Sequence, residues 1–156
     1  MGLFSFYRIS KPSVEQVAPE KADSTYKKLR NRTFWGATVA YSLYYVCRMS
    51  LSVVKQPLID EGVLSAGELG VIGSALLFVY AVGKFLNGFI ADYCNIKRFM
   101  ATGLFFSALV NLLLGVLGIV NDAVTQSTAV IFFSFAILWG INGWMQSMGS
   151  PPGVIC

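Results

Sequence analysis

One arginine, three tyrosines and one lysine carry most of the chemistry legible in this chain. Tyr41 and Tyr45 lie seven and three residues before Arg48. On a helix that spacing puts all three side chains on one face. A guanidinium beside two phenol hydroxyls suits an oxyanion, because arginine grips phosphate through paired parallel hydrogen bonds. Tyr80 and Lys84 repeat the pattern further on, with a phenol one turn before a cation.

The setting sharpens this reading. Residues 34–54 run FWGATVAYSLYYVCRMSLSVV, and Arg48 is the single charge among them. About 20 apolar residues suffice to cross a bilayer as a helix. A cation inside such a helix costs about 2.5–3.5 kcal/mol on insertion scales, so it usually faces a protein interior or an aqueous cavity. A structural arginine would be paired with an acid, yet no predicted span carries one.

The elements that must position these residues follow from composition. Apolar residues make up 55% of the 156 and charged residues 13%. Four long apolar segments result, at 34–54, 69–91, 99–120 and 128–148. They are apolar all round, which excludes a soluble bundle of amphipathic helices. The predicted class is all-α membrane with four transmembrane helices, preceded by a cytoplasmic segment at 1–33. Histidine is absent, so a Ser–His or Cys–His nucleophile has no base. No P-loop is present. Cys47, Cys94 and Cys156 have no metal-ligand spacing. The chain is expected to be no enzyme and to need no cofactor or metal.

Lysine and arginine alternate rich, poor, rich, poor between segments. Seven of them precede position 34, Lys55 stands alone in the first loop, and Lys97 and Arg98 occupy the second. This places both chain ends and the second loop in the cytoplasm. The net charge of +4 follows from that bias, with membrane lipid and not nucleic acid as the partner. Pro57 is expected to end the first helix, and Ser65 with Glu68 to form a capping box on the second. Gly67, Gly70 and Gly73 offer a small-residue edge for helix packing. Asn87, Asn142 and Gln146 are expected to bridge helices more than to touch a ligand. Lys84 either snorkels or joins Arg48 in one cationic cavity. Residues 149–153, GSPPG, break the last helix. The chain is expected to be part of something longer.

These residues carry a family resemblance. Residues 41–48, YSLYYVCR, are similar to the first-helix signature of the organophosphate:phosphate antiporters. That branch of the major facilitator superfamily includes glycerol-3-phosphate and hexose-6-phosphate transporters. Four further pieces match in order: 23–32, DSTYKKLRNR; 80–85, YAVGKF; 88–92, GFIAD, with Asn95 and Lys97; and 146–152, QSMGSPP. The resemblance implies that residues 34–156 form the first four helices of a 6+6 bundle. The whole protein would exchange a sugar phosphate for inorganic phosphate by alternating access, in a bacterial inner membrane, and the chain's missing partner would be the C-terminal half. Arg48 would hold the phosphate. Tyr41, Tyr45, Tyr80 and Lys84 would line the same cavity, with Gln146 close by. Gly88, Asp92 and Lys97 would belong to a loop that latches the two halves. Met49 stands where the family often has a second basic residue, and Tyr93 where another follows the loop aspartate. Gly149-Ser150-Pro151 looks more like the hexose-phosphate sensor-type members, which bind external sugar phosphate and signal to a membrane kinase. A small four-span carrier would rely on an intramembrane carboxylate, which is absent.

Overall fold

The computed structural model describes residues 6–9, 17–123 and 128–149. Four helices follow one another: α1 Pro19–Asp60, α2 Ala66–Asp92, α3 Ile96–Ala123 and α4 Thr128–Ser147. The segments read as 69–91, 99–120 and 128–148 fall within three residues of α2, α3 and α4 at either end. By length and composition, Ala66–Asp92, Ile96–Gly118 and Thr128–Ser147 suffice to cross a membrane. α1 is not among them, because Arg48, three tyrosines and several serines dilute its apolar stretch.

α1 is longer than its apolar run. Its 42 residues extend about 60 Å at 1.5 Å per residue, twice a bilayer's hydrocarbon core. Pro19 opens it, with Glu20 in the first turn, where a missing N–H is harmless and a negative charge faces the helix dipole. Pro57 does not end it as expected, since the helix runs through to Asp60. Proline there costs only the bond to the Val53 carbonyl, one turn before the helix would stop anyway. The true terminator is Gly62, whose φ of 69° is left-handed. Gly62 N–H donates to Ile59 O at 3.0 Å and Val63 N–H to Leu58 O at 3.1 Å. That pair of bonds is a Schellman cap, and Leu58 and Val63 both pack against the core.

The capping box of α2 forms as expected. Glu68 N–H donates to Ser65 Oγ at 3.3 Å, and Ser65 N–H donates to Glu68 Oε2 at 2.7 Å. α3 runs to Ala123, three residues past the segment expected to end at 120. α4 ends at Ser147 with a turn over Met148 and Gly149. The rest of the predicted breaker, 150–153, lies outside the described residues.

α2 packs chiefly on α4, α4 also packs on α3, and α1 rests mainly on α3. The core gathers Leu69, Ile72 and Leu76 of α2, Val110 and Leu114 of α3, and Ile131, Phe135 and Trp139 of α4. The glycine edge of α2 is not where this packing occurs. A Cβ on Gly70 or Gly73 would meet nothing within 4 Å, whereas one on Gly143 would lie 2.5 Å from the Leu76 carbonyl oxygen. Close helix approach therefore comes from glycines on α4 and further along α2. Asn87 bridges α2 to α4 by donating to Ser147 Oγ at 2.6 Å, and Ser107 of α3 donates to Asn142 of α4 at 2.6 Å. A second cluster of Ala91, Phe99 and Met148 closes the other end, with Tyr7 packed on it. Tyr7 also accepts from Asn95 N–H at 2.8 Å and donates to Thr102 Oγ1 at 3.0 Å.

A candidate oxyanion cleft between the first, second and fourth helices

α1 presents Tyr41, Tyr45 and Arg48 along one side, as the seven-residue spacing requires. Their rings and guanidinium border a small cleft together with Tyr44, Tyr80 of α2, Gln146 of α4 and Gly149. The Arg48 guanidinium carbon stands 4.4 Å above the Tyr80 ring centre. That distance is well inside cation–π range. The Tyr41 and Tyr45 rings meet edge to face at 5.2 Å. Both tyrosines are about half exposed, at 45% and 48%, so the cleft is open on their side. Its volume of about 20 Å³ is that of a small, half-open cleft.

The electrostatics are unbalanced. Among the described residues the one ion pair is Lys27 with Asp23, at 2.8 Å on the exposed start of α1. Arg48 thus has no carboxylate partner among them. The Tyr80 ring covers one face of the guanidinium with its negative quadrupole, yet a ring face cannot take the planar N–H donors.

Gln146 departs from the expected bridging role. It is 5% exposed, and its Nε2 has no hydrogen-bond partner among the described residues. A buried donor left unpaired costs about 1–3 kcal/mol, and this one belongs to a side chain that borders the cleft. Asn142, one turn earlier, bridges through its oxygen but leaves its own Nδ2 unpartnered. Lys84 lies one turn past Tyr80, is exposed, and is absent from the residues that border the cleft. At the far end of α2, Gly88 is half-buried, while Asp92 and Lys97 flank the α2–α3 turn and are exposed.

Sequence reasoning missed Tyr44, which is 4% exposed. Its signal was available, since Tyr44 stands four residues before Arg48 and shares a face with it. It was overlooked beside the more regular Tyr41–Tyr45–Arg48 spacing. A larger cavity of about 410 Å³ between α1, α3 and α4 is lined by apolar residues such as Leu51, Leu114 and Trp139, and holds neither Arg48 nor Lys84.

Residues 37–156 match the family profile described as Major Facilitator Superfamily. The chain is 38% identical over 141 residues to a glycerol-3-phosphate transporter of Bacillus subtilis (strain 168), covering 90% of this chain and 30% of that protein. It is 33% identical over 147 residues to a probable hexose phosphate transport protein of Chlamydia pneumoniae, covering 94% and 30%. It is 30% identical over 129 residues to the membrane sensor protein UhpC of Escherichia coli (strain K12), covering 83% and 27%. The chain therefore spans about three tenths of the length of these relatives. No solved structure matches it. The chain belongs to the major facilitator superfamily.

Proposed function

We propose that this member of the major facilitator superfamily supplies the phosphate-gripping part of a sugar-phosphate transporter. The whole protein would exchange a sugar phosphate for inorganic phosphate by alternating access. The observation that carries this reading is the Arg48 guanidinium, held over Tyr80 at 4.4 Å with no carboxylate partner among the described residues. In the proposed mechanism the guanidinium donates two parallel N–H bonds to phosphate oxygens, which point charges such as lysine cannot match. Tyr41 and Tyr45 add phenol donors from the open side, and Tyr80 backs the guanidinium. Gln146 Nε2 donates to a further oxygen, which ends its unpaired burial. Lys84 raises the local positive potential from one turn away and draws the anion in.

The superfamily match and the names of the transporter relatives support the substrate class. The basic residues before position 34 and at Lys97 and Arg98 support cytoplasmic ends, with residues 34–54 as the first span, and the bacterial relatives support a bacterial inner membrane. Gly88, Asp92 and Lys97, at the α2–α3 turn, are proposed to act in the conformational cycle. They lie at the opposite end of α2 from its capping box and away from the cleft.

A second reading has its own support in the 30% identity to a membrane sensor protein. In that reading the same cleft binds hexose phosphate, and the protein signals to a partner and transports little. One experiment separates the two. The protein is produced from its full reading frame, purified and placed in phosphate-loaded liposomes. Exchange of internal phosphate for external glycerol 3-phosphate or hexose 6-phosphate is expected. Tight binding of hexose phosphate without exchange selects the sensor, and neither binding nor exchange refutes both.

A further inference from the structure

Arg48 reaches across a gap to Tyr80, yet α1 packs mainly on α3 and little on α2. Its placement must therefore come from elsewhere. Two hydrogen bonds tie α1 to α3 on either side of it. Tyr44 Oη donates to the Met100 carbonyl at 2.7 Å, in a buried setting. Ser50 Oγ, which also lies 3.0 Å from the Cys47 carbonyl of its own helix, meets Asn111 Oδ1, and since an amide oxygen only accepts, the hydroxyl is the donor of that bond. Residues 44 and 50 lie about 9 Å apart along the helix axis, and Arg48 falls between them.

Both ties are braced. The Tyr44 ring lies against two glycines. A Cβ on Gly149 would sit 2.7 Å from a ring carbon, and one on Gly103 would collide with the hydroxyl. The ring has no room to slide. Asn111 is fixed by its own amide, which donates to Ser107 O at 2.8 Å. Ser107 Oγ in turn donates to Asn142 Oδ1 on α4 at 2.6 Å. The second tie thus extends through α3 into the helix that carries Gln146.

We propose that Tyr44 and the Ser50–Asn111 pair are positioning residues that set where the Arg48 guanidinium stands, so that α3 governs the cleft without lending it a side chain. A guanidinium stands far from its helix axis, so a slight roll of α1 swings it by ångströms. Two ties of different kinds, one on each side, stop both roll and slide. Ligand groups held by such supporting hydrogen bonds keep their geometry, and lose it when the support is removed. The inference rests on the proposed role of Arg48 as phosphate ligand for its effect on binding, but its geometric content does not.

The test uses the full reading frame and two readouts. The first is phosphate affinity of Tyr44→Phe and Asn111→Leu, each measured with Arg48 present and with Arg48→Lys. A net hydrogen bond of ordinary strength translates to about two- to tenfold weaker binding. That loss is expected with Arg48 present and absent in the Arg48→Lys background, because a positioning residue acts through the group it positions. Equal losses in both backgrounds, or none in either, overturn the proposal. The second readout needs no ligand. Cysteines at Arg48→Cys and Tyr80→Cys, in a protein freed of its other cysteines, are joined with a short bifunctional maleimide. Tyr44→Phe is expected to slow the cross-link severalfold, and an unchanged rate overturns the proposal. If Arg48→Lys itself leaves phosphate binding intact while Tyr44→Phe slows cross-linking, the ligand role fails and the positioning role stands.

Discussion

Replacing Arg48 with lysine separates charge from geometry. The substitution keeps the positive charge within the cleft and keeps a cation near the Tyr80 ring, 4.4 Å away in the native arrangement. It removes the planar fork that would, in the proposed role, meet two phosphate oxygens at once. One hydrogen bond to a charged group is worth about 1.5–3 kcal/mol, and each 1.4 kcal/mol is tenfold in affinity. Loss of one of two paired bonds should weaken phosphate binding by about ten- to hundredfold. If Arg48 served only as a charge, lysine should leave affinity within about threefold, a difference of about 0.6 kcal/mol. The assay is phosphate binding by calorimetry on the purified full-length protein, with thermal unfolding as a check on the fold. A folded Arg48→Lys protein that binds phosphate like the wild type would refute the reasoning and make Arg48 a structural charge.

Three further outcomes follow from particular contacts. Gly143→Ala should lower the melting temperature, because its Cβ would press to 2.5 Å from the Leu76 carbonyl and overpacking of this kind costs about 1–3 kcal/mol; unchanged melting would mean that α2 and α4 are not held this closely. Gln146→Leu should weaken phosphate binding several-fold while leaving thermal stability unchanged or raised, since it deletes a buried donor that has no partner; lost stability with unaltered binding would instead make Gln146 a helix bridge. A cysteine at Asp60 should react with an impermeant reagent from outside intact cells and one at Lys97 should not, as the basic-residue bias requires. Labelling of Lys97→Cys alone would invert the topology.

The helices were legible because their signal is redundant. An apolar run of more than 20 residues leaves few folds available in lipid, and the Ser65–Glu68 box fixes a start by local chemistry. Three readings failed for want of partner information. Spacing showed that Gly67, Gly70 and Gly73 share an edge, but not that none of the other described helices comes within 4 Å of a Cβ there. Pro57 was read as a stop by its type, yet one lost bond in the last turns is outweighed by the cap at Gly62 and the burial of Leu58 and Ile59 on the core. Asn87 bridges as expected while Gln146 does not, although both are amides in apolar helices. What separates them is whether an acceptor such as Ser147 Oγ faces them across the gap. The tyrosine–arginine face was visible, since helical spacing alone groups Tyr41, Tyr45 and Arg48. Tyr44 was harder, because its importance lies in Met100 and two distant glycines.

That Arg48 has no carboxylate partner among the described residues favours the proposed mobile anion. An acid on α2 at the position of Tyr80 would satisfy the guanidinium permanently and remove most of its insertion cost. It would also compete with any phosphate for the same donors, and a partner tethered at high effective concentration would win. Tyr80 avoids that competition. Its ring offsets part of the charge through its quadrupole, at about 0.5–2 kcal/mol, and leaves the donor fork free. Such an arrangement would make the empty site less stable than the filled one, as the proposed exchange of one anion for another needs. Replacing Tyr80 with glutamate should therefore raise the melting temperature of the anion-free protein and abolish phosphate binding. A Tyr80→Glu protein that still bound phosphate would show that the donors of Arg48 are not the ones the anion uses.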